Sequence, residues 1–278
     1  MTSETYFESL FSLAGRTALV TGGATGIGRM IAEALMRAGA EVLIASRKGE
    51  ACEAVAAELN ALGAAGRAQG LAGDVGTEAG VAALAAAVAE RAPRLHILVN
   101  NAGKSWGAPM GEFPFKAWDA VMSVNVAGLF SLTQALLPQL RAAGTAEDPA
   151  RVINLGSVMG TQPMGNRAYS YAASKAAVHH LTRILAQELV TEHVTVNAFA
   201  PGPFQSRMMA FATADAEARA RTEAGVPMRR LGRPEDIAGA LLFLCGRGGS
   251  YTTGAVIPID GGKHVMTGHR YYTDEEPG

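Results

Sequence analysis

Hydrophobic positions along the chain follow two alternating patterns. Short runs rich in valine, isoleucine and leucine are each followed by a longer, alanine-rich stretch with helical spacing. Parallel strands joined by crossover helices of ten or more residues produce this order, so the pattern predicts an α/β protein with right-handed connections. The predicted strands are residues 16–21, 41–46, 67–72, 95–100, 150–157, 194–200 and 255–260. The predicted helices are residues 26–39, 49–63, 77–92, 115–143, 172–190 and 234–246.

The same pattern argues for one domain. No composition shift and no linker rich in proline or serine interrupts the chain. We therefore predict a single domain over residues 1–262 and a C-terminal extension over residues 263–278, which has no strong hydrophobic period. At 278 residues the chain is long enough to bury a large core in this one domain.

Composition and charge narrow the classes of function. Hydrophobic residues make up 49% of the chain and charged residues 18%, which is typical of a compact globular protein. The net charge of −1 gives no electrostatic reason to expect nucleic acid or an anionic membrane as partner, so a small-molecule substrate is expected. The start lacks the basic region of a signal peptide and no apolar run reaches membrane-spanning length, which predicts a cytoplasmic protein. Cys52 and Cys245 lie far apart and no histidine pair has metalloenzyme spacing, so no metal is predicted.

A glycine-rich turn joins the first predicted strand to the first predicted helix. Gly22, Gly26 and Gly28 let the backbone turn tightly and let a pyrophosphate approach the free N–H groups of the helix. A glycine-rich turn without a ligand would look similar in isolation. The place of this turn in the first βα unit favours a dinucleotide site, to which Thr25 and Ile27 also belong.

The spacing T-G-x-x-x-G-x-G over residues 21–28 resembles that of the short-chain dehydrogenase/reductase family. The resemblance implies a single-domain Rossmann-type fold, which is a doubly wound parallel sheet of about seven strands with helices on both faces. It also implies a homotetramer or a dimer.

Three further segments resemble this family in the same order along the chain: "AGDVG", "VNNAG" and "APGPFQS". The resemblance implies that the first segment contacts adenine, the second lines the adenosine side and steadies the sheet, and the third passes under the nicotinamide. The cofactor-contacting residues would then be Asp74, Val75, Asn101, Ala102, Gly103, Pro201, Gly202, Phe204 and Ser206.

The residues after the second strand indicate which dinucleotide binds. An NAD site places an acid there for the ribose 2′-hydroxyl, whereas an NADP site has a basic residue for the 2′-phosphate. Ser46 stands at the position of the acid, and Arg47 and Lys48 follow it. A guanidinium can hold a phosphate through two hydrogen bonds, so we expect NADP(H). The family's second basic position is Thr25 here, so this preference depends largely on Arg47.

Two tyrosines precede one lysine, and helix geometry decides between them. Lys175 follows Tyr171 by four residues and Tyr169 by six. Residues four apart share a helix face, and residues six apart do not. Tyr171 and Lys175 therefore match the family's Y-x-x-x-K pair, while Tyr169 is expected in the pocket wall or in packing.

The resemblance adds Ser157 and Asn125 to this pair. It implies that Lys175 lowers the pKa of the proton donor Tyr171 and holds the nicotinamide ribose. It also implies that Ser157 binds the substrate oxygen and that Asn125 supports a water that relays protons to the lysine. A serine at a strand end is usually a cap and a helical asparagine is usually exposed. All four in the family's order favour the catalytic interpretation.

Residues 203–231 match the family's variable lid over the substrate. Methionines and aromatic residues on this lid and on nearby loops predict an adaptable apolar pocket for a bulky or acyl-chain ketone. Longer segments around the motifs are similar to NADPH-dependent 3-oxoacyl reductases of the family, which favours a 3-oxoacyl ester or thioester. The candidate pocket residues are Trp106, Met159, Met164, Tyr169, Phe204, Met208, Met209 and Phe211.

Alternatives stay open at this point. A dehydrogenase that works mainly in the alcohol-oxidising direction would use the same residues. A non-catalytic NADP-binding sensor on this fold typically loses the Tyr–Lys pair, which is present here. An enoyl reductase of the family has its tyrosine seven residues before the lysine, where this chain has Ala168.

Overall fold

A seven-stranded parallel sheet forms the centre of the molecule. The computed structural model describes residues 3–164, 167–205 and 214–266. The strand order is β3-β2-β1-β4-β5-β6-β7, and every neighbouring pair is parallel. This order changes direction between β1 and β4, as in a doubly wound sheet, and it confirms the predicted fold class. The strands are β1 (Thr17–Thr21), β2 (Glu41–Ser46), β3 (Arg67–Ala72), β4 (Ile97–Asn100), β5 (Ala150–Leu155), β6 (Val194–Pro201) and β7 (Val256–Ile259).

Helices cover both faces of the sheet. The helices are α1 (Ser3–Phe11), α2 (Gly26–Arg37), α3 (Gly49–Asn60), α4 (Glu78–Arg91), α5 (Phe115–Met122), α6 (Leu129–Ala135), α7 (Leu137–Ala143), α8 (Tyr169–Leu189), α9 (Ala216–Ala224) and α10 (Pro234–Cys245). Helices α2, α3 and α10 pack on one face, and helices α4, α6, α7 and α8 pack on the other.

Each central strand supplies side chains to both cores. In β1, Ala18 and Val20 belong to the core under α2 and α10, while Leu19 belongs to the core on the opposite face. All three are fully buried. Successive strand residues point to opposite faces, so a strand covered on both sides must be apolar throughout. This requirement explains why most residues of the central strands β1, β4, β5 and β6 are apolar and buried.

The predicted helix over residues 115–143 is interrupted twice. A π-helical turn, Ser123–Gly128, separates α5 from α6, and Leu136 leaves the helical conformation between α6 and α7. Pro138 explains the second break, because proline lacks the N–H of a continuous helix and its ring would clash with the carbonyl four residues earlier. The π turn brings Gly128 against the loop after β3, where an added Cβ would lie 2.0 Å from the carbonyl oxygen of Val75.

Two helices were not predicted from the sequence. Helix α1 packs against α10 near the end of the domain, and helix α9 lies within the lid. Beyond residue 262, where we placed the end of the domain, a 3₁₀ turn (Lys263–Val265) still contacts it. The backbone N–H of His264 in this turn donates to the Asp260 carboxylate at 2.7 Å. The first residues of the predicted extension are therefore bound to the domain.

No single helix in the described ranges is long and apolar enough to cross a membrane. Two helical segments, Phe115–Ala135 and Leu137–Ala143, meet at a bend of 56°. They reach the length and apolar composition of a membrane span only when they are taken together.

A buried chain of side-chain hydrogen bonds ties two helices to the middle of the sheet. Asn100 of β4 donates to Thr133 of α6 and to Asn154 of β5, at 3.0 Å each. Asn154 in turn donates to Thr182 of α8 at 3.0 Å. Both threonine hydroxyls donate to the carbonyl four residues earlier in their own helix, at 2.8 Å. The series of hydrogen bonds thus ends at a helix carbonyl on each side, and each of the four buried side chains has a partner.

Replacing Asn154 by alanine should destabilise the fold. Asn154→Ala removes one acceptor of Asn100 Nδ2 and the donor to the Thr182 hydroxyl, and each buried hydrogen bond lost without replacement costs about 1 to 3 kcal/mol. We expect the free energy of unfolding, measured by urea denaturation, to fall by about 2 to 4 kcal/mol. Gln134→Ala on the exposed side of α6 is the control and should change it by less than about 0.5 kcal/mol. Equal values for the two variants would contradict the prediction.

Candidate active site

The glycine turn between β1 and α2 is shaped by close backbone contacts. Gly22 and Gly26 have φ angles of 64° and 55°, a region that favours glycine. Gly28 lies inside α2, where an added Cβ would be 2.3 Å from the carbonyl oxygen of Gly22 and 2.4 Å from Nδ2 of Asn101. The three predicted glycines therefore shape a tight turn, which we call the glycine cradle: Gly22 and Gly26 through their φ angles, and Gly28 through its close approach to Gly22 and Asn101.

Hydrogen bonds join this turn to the end of β4. Asn101 donates through Nδ2 to the carbonyl oxygens of Thr21 and Gly22, at 2.8 and 3.1 Å. The Thr21 hydroxyl accepts the backbone N–H groups of Asn101 and Ala102, both at 3.1 Å. Thr21 was not predicted as a site residue, although its position at the start of the glycine motif was a usable signal. These bonds fix the ends of β1 and β4 beside each other.

The start of α2 has the features of an anion-binding helix terminus. Thr25 precedes the helix in an extended conformation and makes no side-chain capping bond, and the first turn carries no acidic residue. The first N–H groups of a helix have no partner within it, and the helix dipole is positive at this end. Ile27, by contrast, packs partly against the core. Together with the glycine cradle, this donor set fits a dinucleotide pyrophosphate.

The residues after β2 are arranged as expected for a phosphate-binding loop. Ser46 accepts a hydrogen bond from the backbone N–H of Lys48 at 3.2 Å and from the Cys52 thiol at 3.0 Å. Arg47 and Lys48 are exposed, and neither forms an ion pair with any residue that the structure describes. Their charges are therefore available to a bound anion.

The residues after β3 and β6 follow the same edge of the sheet. Asp74 accepts the backbone N–H of Gly76 at 2.9 Å, and Val75 beside it is buried. Pro201 ends β6, and Gly202 donates its N–H to the carbonyl oxygen of Ile259 at 3.0 Å. Because the carboxyl ends of parallel strands meet at one edge, these residues lie along the crevice where α/β proteins bind ligands.

Three of the four predicted catalytic residues meet at the start of α8. The Tyr171 side chain lies beside that of Ser157, which is two residues beyond the end of β5, and the two interact. Lys175 Nζ lies 5.5 Å from the centre of the Tyr171 ring and donates to the carbonyl oxygen of Leu155 at 2.5 Å. The four-residue spacing places both side chains on one face of α8.

Asn125 is the fourth residue, and it lies in the π turn. It is almost fully buried: its Oδ1 accepts the N–H of Lys104 at 2.8 Å, and its Nδ2 donates to the carbonyl of Lys104 and to Ser174 Oγ at 2.9 Å each. A single π turn inside an α-helix is often found at a functional site. Here it aims Asn125 inward, toward the loop after β4 and toward α8. We call Asn125, Ser157, Tyr171 and Lys175 the tetrad.

Gly103, predicted on the adenosine side with Asn101, lies close to the tetrad. A Cβ on Gly103 would lie 3.6 Å from Asn125 Oδ1 and 3.8 Å from Lys175 Nζ. Gly103 thus lies between the asparagine and the lysine of the tetrad. Asn101 and Ala102 remain beside the glycine turn.

The electrostatics of Tyr171 also differ from the expectation. Burial raises the pKa of the Tyr171 phenol, and the hydrogen bond with Ser157 opposes this only in part. Lys175 was expected to lower the pKa of Tyr171, but its ammonium group is directed to the carbonyl oxygen of Leu155. Burial also lowers the pKa of Lys175 itself, to about 8, because the charged form loses hydration.

An aromatic cluster adjoins the tetrad at the start of α8. The rings of Phe113 and Tyr169 lie 5.3 Å apart edge to face, and Trp118 lies 6.1 Å from Phe113. Trp106 is 43% exposed, and of the other candidate pocket residues Met159 and Met164 are half-buried. Ser206, Met208, Met209 and Phe211 were also predicted at the site and lie outside the described residues.

Phe204 was predicted to line the substrate pocket, and the structure places its ring elsewhere. The side chain is 2% exposed, belongs to the core under α2 and α10, and fills the space above Gly232. A Cβ on Gly232 would lie 2.4 Å from this ring. The contact anchors the start of the lid to its end, and it leaves only the backbone of Phe204 for the predicted contact with the cofactor.

The lid is fastened on its far side to the residues after β7. Lys263 Nζ donates to the carbonyl oxygen of Gly225, just after α9, at 2.7 Å. The N–H of Met228 donates to the carbonyl oxygen of Gly261 at 3.2 Å. A cavity of about 270 Å³ lies between α9 and the starts of α2 and α10, and none of its lining residues belongs to the tetrad. No cluster of metal-ligating side chains occurs in the described part of the chain.

Comparison with known proteins now gives the family. A family model described as enoyl-(acyl carrier protein) reductase matches residues 22–264. The rhamnolipids biosynthesis 3-oxoacyl-[acyl-carrier-protein] reductase of Pseudomonas aeruginosa is 52% identical over 255 residues, which cover 92% of this chain and 98% of that protein. The chain belongs to the short-chain dehydrogenase/reductase family. It is therefore an oxidoreductase by family, as the motifs predicted.

Other members of the short-chain dehydrogenase/reductase family show how much the substrate varies. Galactitol 2-dehydrogenase (L-tagatose-forming) of Cereibacter sphaeroides is 39% identical, with 93% of this chain and 99% of that protein covered. The solved structure described as the Pseudomonas aeruginosa RhlG/NADP active-site complex matches with a TM-score of 0.89 and 52% identity, over 92% of this chain and 99% of that one. Family membership thus fixes the reaction class more closely than the substrate.

Replacing Gly28 by alanine should destabilise the fold, whereas the same change at Gly239, another helical glycine, should stabilise it. Gly28→Ala forces a Cβ into the backbone of Gly22, so we expect the free energy of unfolding to fall by about 1 to 3 kcal/mol. Gly239 in α10 has open space around its Cβ position, so Gly239→Ala should raise it by about 0.5 to 1 kcal/mol. Denaturant unfolding of both variants tests this, and stabilisation by Gly28→Ala would contradict the cradle.

Proposed function

We propose that the chain is an NADPH-dependent carbonyl reductase for bulky or acyl-chain ketones, with a 3-oxoacyl ester or thioester as the favoured substrate. The observation that carries the proposal is the convergence of Ser157, Tyr171 and Lys175, with Lys175 Nζ 5.5 Å from the centre of the Tyr171 ring. The bound cofactor supplies the hydride in this chemistry. The protein supplies two hydroxyl groups for the carbonyl oxygen and one proton.

Tyr171 is suited to donate that proton. A phenol of ordinary pKa is already protonated at neutral pH. Burial raises the pKa of Tyr171 further, so the side chain holds the proton that reduction consumes. Ser157 is placed to donate a hydrogen bond to the same oxygen as negative charge develops on it. This protonation state favours reduction. A dehydrogenase that works mainly toward oxidation would need Tyr171 as phenolate, which burial opposes.

The residues after β2 support NADP(H) as the cofactor. No acid stands at Ser46, and the exposed guanidinium of Arg47 is free of ion pairs among the described residues. The related Pseudomonas aeruginosa structure is a complex with NADP. The glycine cradle and the open start of α2 would hold the pyrophosphate, and Arg47 would hold the 2′-phosphate.

The choice of a 3-oxoacyl substrate rests on two lines of support. The aromatic cluster of Phe113, Trp118 and Tyr169, whose last member stands two residues before Tyr171 on α8, offers an apolar surface for an acyl chain. The relative that is 52% identical is described as a 3-oxoacyl-[acyl-carrier-protein] reductase. Enoyl reduction is less well supported, because Ala168 stands where the family's enoyl reductases have their tyrosine.

Removal of the Tyr171 hydroxyl should abolish most of the activity. In Tyr171→Phe we expect kcat for NADPH-dependent reduction of a medium-chain 3-oxoacyl ester to fall by about 10²- to 10⁴-fold, because the general acid is lost. The dissociation constant for NADPH, measured by fluorescence, should change little. Tyr251→Phe, at a fully exposed tyrosine, is the matched control and should behave as wild type.

The results for the wild type and for Tyr171→Phe together separate the alternatives. Turnover that survives in Tyr171→Phe would exclude Tyr171 as the acid. Tight NADPH binding with no turnover on any bulky ketone would favour the non-catalytic sensor. Oxidation of secondary alcohols that is much faster than ketone reduction would favour the dehydrogenase.

Reversal of charge at Arg47 should change the cofactor preference. Hydrogen bonds to a charged group contribute about 1.5 to 3 kcal/mol, which corresponds to about a 10- to 100-fold change in affinity. In Arg47→Glu we expect KM for NADPH to rise by this factor, while KM for NADH stays the same or falls. Arg94→Glu, at an exposed arginine before β4, is the control. An unchanged ratio of kcat/KM for the two cofactors would show that Arg47 does not bind the 2′-phosphate.

Two further predictions accompany this function. We propose that the protein acts in the cytoplasm and that it assembles as a homotetramer or a dimer. Light scattering of the purified protein would test the second prediction.

A further inference from the structure

His179 lies beside Ser157 and takes no part in the chemistry proposed above. It follows Lys175 by four residues on α8, so it lies on the face that carries Tyr171 and Lys175. Its side chain is buried, whereas that of the adjacent His180 is exposed. A polar aromatic ring buried this close to the site needs partners for its two nitrogens.

Both partners come from the short loop that carries Ser157. The backbone N–H of Ser157 donates to His179 Nε2 at 3.4 Å, and the hydroxyl of Thr161 lies 3.4 Å from His179 Nδ1. Since Nε2 accepts, Nδ1 carries the proton and donates to Thr161. One imidazole therefore spans the loop from Ser157 to its far end.

Two glycines in this loop leave the space that the ring occupies. A Cβ on Gly156 would lie 2.1 Å from His179 Nε2, and a Cβ on Gly160 would lie 2.8 Å from His179 Cε1. Gly160 also packs against the backbone of Lys175, where the same Cβ would lie 2.7 Å from the carbonyl carbon. The loop thus closes around the imidazole, with glycine at each of these points of contact.

The protonation state of His179 is consistent with this arrangement. Burial, together with the positive charges of Lys175 and Arg183, lowers the pKa of His179 to about 4. The ring is neutral at physiological pH, so Nε2 keeps the lone pair that accepts the Ser157 N–H.

From these contacts we propose that His179 is a positioning residue: its imidazole fixes the backbone at Ser157, and thereby holds the Ser157 hydroxyl against Tyr171. The inference rests on the proposed reductase function for its effect on rate, but not for its effect on the loop. Displacement of a catalytic group by about 1 Å can cost about 10²-fold in rate.

Three substitutions of His179 distinguish the effect of losing the hydrogen bond to Ser157 from the effect of changing the packing. His179→Leu fills the space without an acceptor, and His179→Gln retains an acceptor near the position of Nε2. His179→Asn is polar but too short to reach that position, and it serves if the leucine variant does not fold. His180→Leu is the control at the exposed neighbour.

We expect kcat per folded molecule to fall by about 10- to 100-fold in His179→Leu and His179→Asn, with KM for NADPH nearly unchanged. His179→Gln should recover most of the loss. Because the Ser157 hydrogen bond lowers the pKa of Tyr171, a displaced Ser157 raises that pKa. The alkaline limb of the pH–rate profile for reduction should then move to higher pH in the leucine and asparagine variants only.

Hydrogen–deuterium exchange of the peptide covering residues 156–162 gives a readout that needs no turnover. Exchange should be faster in His179→Leu and His179→Asn than in wild type or His179→Gln. Unchanged exchange with unchanged kcat in His179→Leu would overturn the proposal, as would a glutamine variant that loses as much as the leucine variant. If the wild-type protein reduces no ketone, the proposed function fails, and the exchange rates alone decide the role of His179.

Discussion

The buried chain from Thr133 through Asn100 and Asn154 to Thr182 is the interaction on which the site depends. Polar side chains in a core stabilise the fold only when every donor and acceptor is paired. A buried hydrogen-bond network that lacks one member is less stable than an apolar core. The observed placement of α6 and α8 against β4 and β5 satisfies all four side chains. The apolar contacts around them are less directional, so they do not select this placement by themselves.

This constraint reaches the tetrad through the two helices. Helix α8 carries Tyr171 and Lys175 two to three turns before Thr182, and the π turn with Asn125 directly precedes α6. Strand β5 carries Asn154 and leads directly to Ser157. All members of the tetrad therefore lie on, or directly next to, elements that the same buried hydrogen bonds join.

Local sequence predicts most of the sheet and much less of the tetrad's environment. Strands 41–46 and 67–72 were predicted with their observed bounds. The apolar run defines the first, whereas the second, with Gly70 in its interior, follows from the alternation of strands and helices. The π turn was not predictable, since residues 123–128 continue the helical pattern and the turn depends on the contact of Gly128 with Val75. The four-residue spacing selected Tyr171, which is the tyrosine that the structure places beside Ser157 and Lys175. The direction of its pKa shift depends on burial and on where Lys175 donates, and both are tertiary properties.

The attachment of the lid has a consequence for how new specificities arise. The lid is held by the Phe204 ring at its base and by hydrogen bonds to residues 261 and 263, none of which the tetrad uses. Sequence changes between these anchors can alter the predicted lid without displacing the residues of the tetrad. Lid segments should therefore be exchangeable between relatives as modules, which makes this scaffold a practical starting point for engineered stereoselective reductions.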